Sequence, residues 1–199
     1  MLDPDKHKEM TKKHKQIFEK KKAAATKEKG LLIVNTGTGK GKTTAAFGMG
    51  LRVLGHGMKL GVVQFIKGAL PTAERQLLGN QANCHFYTVG EGYTWNTQDR
   101  AADCAMAEKG WSCALTMMRD PSYAMVILDE LNIVLRYAYL DKEKVLQELK
   151  GRREDLHVVV TGRHAPAELI EIADLVSEVK QIKHPYKEQG IKAQRGVEY

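Results

Sequence analysis

Six short apolar runs punctuate the chain: "LLIVN" 31–35, "LGVVQF" 60–65, "CHFYTV" 84–89, "AMVILD" 124–129, "LHVVV" 156–160 and "LVSEVKQI" 175–182. Several are apolar nearly throughout, which suits strands covered by helices on both faces. Between them the spacing predicts helices over 43–54, 97–119, 130–138, 141–150 and 166–173. Leu131, Val134, Leu135 and Ala138 repeat at helical spacing and form one stripe to be buried. Thr97 is placed to cap the long helix, and Pro121 to stop it. Gly55 and Gly57 are placed to end the first helix. Strands alternating with helices predict a single α/β domain, a mostly parallel sheet of about six strands flanked by helices. After residue 183 no periodicity is evident, and the tail reads as draped over the surface.

Charge divides the chain into two parts. The net charge is +7, and residues 1–29 hold ten lysines against five acids. The expected organisation is a basic helical arm, 1–29, on a nearly neutral domain, 30–199. A near-neutral body argues against a groove that tracks a nucleic-acid backbone. No apolar run approaches the ~20 residues that span a bilayer, and the lysine-rich start lacks the apolar core of a signal peptide. A cytoplasmic protein without membrane attachment is expected. Cys84, Cys104 and Cys113 show no metal-binding or redox spacing and read as reduced, packed thiols.

The segment with chemistry is "NTGTGKGKTTAAFG", 35–48, which follows the first strand and opens a helix. It matches the phosphate-loop pattern G-x-x-x-x-G-K-[ST] except that Thr36 stands where the first glycine belongs. Gly37, Gly39 and Gly41 let the backbone turn tightly and aim N–H groups at an anion. The helix N-terminus adds positive potential, Lys42 a mobile charge, Lys40 a second cation, and Thr43 a hydroxyl suited to Mg²⁺. Asp129 and Glu130 close a buried strand where an acid partner would help hold that cation. Arg163, after the fifth strand, is within the same set of strand-end loops, where ligands of such sheets bind. Together these predict a site for ATP or a similar nucleotide with Mg²⁺.

Six stretches, "TGTGKGKTTAAFG", "GVVQFIKG", "GEGYTWNTQDR", "VILDEL", "VVVTGRHAP" and "GIKAQRGVEY", resemble the ATP:corrinoid adenosyltransferases of cobalamin metabolism, in order from residue 30 to 199. In that family the loop also begins with Thr, so Thr36 is a match. The resemblance implies a RecA-like P-loop fold, a homodimer, and transfer of the 5′-deoxyadenosyl group of ATP to the Co(I) of a reduced corrinoid, with triphosphate released. It also implies an external one-electron reductant such as a flavoprotein. Carried over by position, the triphosphate grip is Gly37, Thr38, Gly39, Lys40, Gly41, Lys42, Thr43 and Thr44, with Arg52 and Arg163 as further nucleotide contacts. Mg²⁺ would lie near Thr43, Asp129 and Glu130. Tyr93 and Trp95 match an aromatic pair that displaces the lower axial ligand of cobalt; the first of the pair is commonly Phe in the family. Two other classes remain at this stage, a RecA-like ATPase that binds DNA and a small-molecule P-loop kinase. The products formed from ATP separate all three.

Overall fold

The computed structural model describes residues 4–66, 72–89 and 99–198. The elements run α1 (Pro4–Ala24), β1 (Leu32–Thr36), α2 (Lys42–Gly55), β2 (Lys59–Gln64), α3 (Ala73–Gly79), β3 (Cys84–Thr88) and α4 (Arg100–Arg119). They continue with β4 (Tyr123–Asp129), α5 (Leu131–Arg136), α6 (Lys142–Lys150), β5 (His157–Thr161), α7 (Ala167–Ile172), β6 (Leu175–Glu178) and α8 (Pro185–Gln189). The six strands form one sheet in the order β3-β2-β4-β5-β1-β6, and every pairing is parallel.

Alternation along β1, β2, β4 and β5 builds two cores, one on each face. Leu32, Val34, Val63, Val126, Leu128 and Val160 join Trp111 and Ala114 of α4 and Leu149 of α6 on one side. Ile33, Val62, Ile127 and Val159 join Ala46, Phe47 and Val53 of α2 on the other. Both faces of these four strands exclude water, so both registers are apolar and the runs read as continuous hydrophobic blocks, whereas the edge strand β6 is exposed along its length.

The structure corrects the predicted boundaries at several points. β6 ends at Glu178, not residue 182, because the chain leaves the sheet edge there and crosses onto the loop after β1. α4 starts at Arg100, where the Asp99 carboxylate accepts the N–H groups of Ala101 at 2.9 Å and Ala102 at 3.1 Å. Asp99 is therefore the cap, and Thr97 lies outside the described residues. α5 stops at Arg136, because Ala138 takes a left-handed φ of 51° and is exposed. Only Leu131, Val134 and Leu135 of the proposed stripe are buried. α3 and α8 were not predicted: α3 buries Leu78 alone and α8 buries nothing, so neither has a stripe to detect.

Candidate phosphate-binding site

Each central strand ends in a buried polar residue at the same edge of the sheet: Asn35 and Thr36 on β1, Gln64 on β2, Asp129 on β4 and Thr161 on β5. Parallel register lines them up, Gln64 beside Asp129 and Asn35 beside Thr161. Asp129 is only 2% exposed. Its Oδ1 accepts hydrogen bonds from the hydroxyls of Thr43 at 2.8 Å and Thr161 at 2.7 Å, and its Oδ2 accepts one from the Gln64 amide at 3.0 Å. A buried carboxylate needs such partners to remain in place without water. Three neutral donors hold it without neutralising it, so its charge stays directed at the first turn of α2.

The loop between β1 and α2 owes its shape to close backbone approaches. Gly41, at the N-terminus of α2, has φ 106°, a conformation that a side chain would strain. Gly37 has φ 100°, and a Cβ there would stand 2.4 Å from the Val179 carbonyl oxygen. The strand-end segment 178–180 lies that near: Val179 donates its N–H to the Thr36 carbonyl at 2.8 Å and accepts the Gly39 N–H at 2.7 Å. The Gly39 N–H is thus bound to protein and is not one of the donors facing an anion, a correction to the expected cradle. Thr36 has its own task. Its hydroxyl accepts the Ala165 N–H at 3.1 Å, tying β1 to the loop after β5. Glycine could not make that bond.

Lys42 is 6% exposed, and its ammonium donates to the Gly39 carbonyl at 2.5 Å. Burial lowers its pKa, Glu130 and Asp129 pull it back up, and Arg163 and Lys40 lower it further. Glu130 holds a left-handed φ of 61°, and its N–H donates to the Thr161 hydroxyl at 2.9 Å. Burial, then the charge of Asp129, pushes its carboxyl up to about 7, against the opposing pull of Lys42 and Arg163. A carboxylic acid titrating near neutrality beside two cations, Lys42 and Arg163, responds strongly to any further charge placed there.

These groups surround a cleft of about 440 Å³. Gly39, Lys40, Gly41, Lys42, Thr43, Thr44, Asp129, Glu130 and Arg163 all line it, as does the unpredicted Glu198, whose Oε2 lies 2.5 Å from the Lys40 ammonium. Gly37 and Thr38 stand outside the lining, where Gly37 shapes the loop against Val179. Arg52 does not join the site: it is exposed in the last turn of α2, ten residues beyond Lys42. Tyr93 and Trp95 lie outside the described residues. Sequence reasoning missed Gln64 and Thr161. Their signal was present, since a polar residue closing an apolar strand has to be either solvated or employed.

Oxygen donors are gathered at one point. The Thr43 hydroxyl meets Asp129, with Glu130 next in sequence, and no cluster of three or more His, Cys, Asp or Glu forms among the described residues. That sparse, hard donor set suits Mg²⁺, which takes one or two protein carboxylates and completes its shell with phosphate oxygens and water. No helix among the described residues is long and apolar enough to cross a membrane.

Comparison with known proteins places this geometry in context. The family model of ATP:corrinoid adenosyltransferase BtuR/CobO/CobP matches residues 28–199. A corrinoid adenosyltransferase of Sinorhizobium is 56% identical over 190 residues, covering 94% of this chain and 88% of its own. One from Pseudomonas aeruginosa is 47% identical, covering 97% of this chain and 95% of its own. One from Escherichia coli K12 is 42% identical over the whole of both chains. Among solved structures, that of the RadB recombinase shares 16% identity over 79% of this chain and 77% of its own, with a TM-score of 0.45, too loose a match to weigh on the fold.

Proposed function

The chain belongs to the ATP:corrinoid adenosyltransferase family, and on that premise we propose how its residues divide the work of adenosylating a corrinoid with ATP. The reaction forms a bond from cobalt to the ribose C5′ and breaks the C5′–O bond, whose electron pair leaves on triphosphate. A kinase site stabilises charge on one transferring phosphoryl group. Here the whole triphosphate departs, so cations must accompany all of it.

The buried Lys42, exposed Lys40 and Arg163 supply those charges around the cleft, with the N-terminus of α2 behind them. The carrying observation is the junction of Thr43 with Asp129, which fixes the loop to the acid strand. Thr43 and Asp129, with Glu130, are the residues that would hold Mg²⁺, which when bound offsets phosphate charge. Burial and the charge of Asp129 push the Glu130 carboxyl up to about 7, and as a carboxylate it would add a second acidic oxygen donor for that cation. Tyr93 and Trp95 act on the corrinoid: they displace the lower axial ligand, so that an external one-electron reductant such as a flavoprotein can make Co(I). The protein works in the cytoplasm as a homodimer.

Two experiments test these roles. With Mg·ATP and chemically reduced cobalamin, adenosylcobalamin and triphosphate should appear in equal amounts; turnover-dependent ADP and phosphate would overturn the reading. Trp95→Ala should cripple turnover from cob(II)alamin with a mild reductant yet retain far more activity on preformed cob(I)alamin, which has no axial ligand to lose. Equal impairment in both assays would assign Trp95 to packing or simple binding instead.

A further inference from the structure

We propose that the C-terminal tail gates the phosphate loop: Glu198 holds Lys40 as a stand-in anion, cedes it to an arriving triphosphate, and retakes it as the triphosphate leaves. The inference rests on the reading of this loop as a triphosphate site. Glu198 Oε2 sits 2.5 Å from Lys40 Nζ, and Val197 and Glu198 form part of the cleft wall. The carboxylate thus lies where phosphate oxygens would be drawn.

The tail is built to let go. Gly196 turns it with φ 81°, and the N–H groups of Val197 and Glu198 both return to the Gln194 carbonyl, at 3.1 and 2.9 Å. These bonds are internal to the turn and survive its displacement. Val197 is 82% exposed, so little apolar surface anchors the segment. The ion pair is itself accessible, with side chains 53% and 21% exposed for Lys40 and Glu198, and such pairs are weak. A triphosphate carries several charges where Glu198 carries one, and it also gains Lys42 and the α2 N-terminus. It therefore wins Lys40 when it arrives. When it departs, the returning carboxylate spares Lys40 from being left unpaired. The same turn also separates two spaces. Arg195 and Gly196 line a groove of about 630 Å³ against Arg75 and Gln76 of α3, and Thr72 lines both groove and cleft. Moving the tail joins them.

The test is calorimetric titration of the full-length protein with inorganic triphosphate, alongside E198Q and E198D. E198Q should bind triphosphate about two- to fivefold tighter, the worth of an accessible ion pair, and triphosphate should inhibit its turnover more strongly by the same factor. E198D keeps the charge but is one methylene short of Lys40, so it should follow E198Q. Unchanged or weaker binding by E198Q overturns the gate, as does an E198D that matches wild type while E198Q tightens, since that pattern reports distant charge rather than contact. If wild type itself binds no triphosphate, the loop reading fails first and the gate falls with it.

Discussion

Lys42 combines burial with a single carbonyl partner, a costly position for an ammonium unless a phosphate offsets the cost. Lys42→Ala should remove one charge-assisted contact, about 1.5–3 kcal/mol, and lower kcat/KM for ATP roughly 10- to 100-fold by that conversion, whichever cobalt oxidation state is supplied. Its urea midpoint should not fall, because a desolvated charge has been deleted. Glu130 makes a pH prediction. Its carboxyl rises from an ordinary 4.5 to about 7 in the folded chain. Between those values the native state holds a proton that the unfolded state has released. The stability it contributes is therefore full below pH 4.5 and is lost as pH rises through 7. Urea midpoints measured at pH 5 and 7.5 without metal or nucleotide should fall more for wild type than for Glu130→Gln. Parallel lines would reject the raised value. The pattern of the loop singled out Thr36 as the odd residue, but its reason, the Ala165 N–H, is 129 positions away in sequence.

Within the body, helices were legible in proportion to the apolar surface they bury, while the exposed α1 was legible from its run of lysines. α2 and α4 announced themselves by length and by terminators: α2 gives way to His56 and Gly57 at φ 71°, and α4 ends at Arg119 before Pro121. α3 and α8 gave no such signal, since one buried side chain or none defines no period. The overlong reading of α5 came from counting Ala138, which fits the stripe by spacing but adopts a left-handed backbone. That conformation costs an L-residue about 1–2 kcal/mol and glycine almost nothing. Ala138→Gly should therefore raise stability, and by roughly 2–4 °C in Tm per kcal/mol gained in a domain of this size. The Arg100 guanidinium still has the residue-138 carbonyl as its acceptor at 3.1 Å, so that bond is kept. Asp99→Ala should do the reverse, losing about 1 kcal/mol of cap energy, readable as a lowered denaturation midpoint.

At the scale of the whole molecule, the basic arm shares little buried surface with the body. Residues 6–29 are exposed throughout, whereas Gly30 is buried so near Leu156 that a Cβ would stand 2.1 Å from its carbonyl oxygen. Lys29 pairs with Asp174 at this junction. Deleting residues 1–26 should leave the urea midpoint of the body unchanged, because the arm buries nothing that folding could lose. A fall of the midpoint would show that α1 contributes to the folded core.

The sequence by itself determined what is local. The four central strands, β1, β2, β4 and β5, were readable because a sheet covered on both faces has to be apolar in both registers. The phosphate loop was readable because its glycines, lysines and threonines act from one contiguous stretch. Tertiary structure alone decided which strands are neighbours, since parallel strands joined by helical crossovers leave no mark of their order in periodicity. By setting β5 between β1 and β4, it brought Thr161 to Asp129. By laying the end of β6 against the loop, it engaged the Gly39 N–H. By returning the C-terminus to the cleft, it paired Glu198 with Lys40, 158 positions apart. Contacts of that span depend on the closure of the whole chain, and no local pattern encodes them.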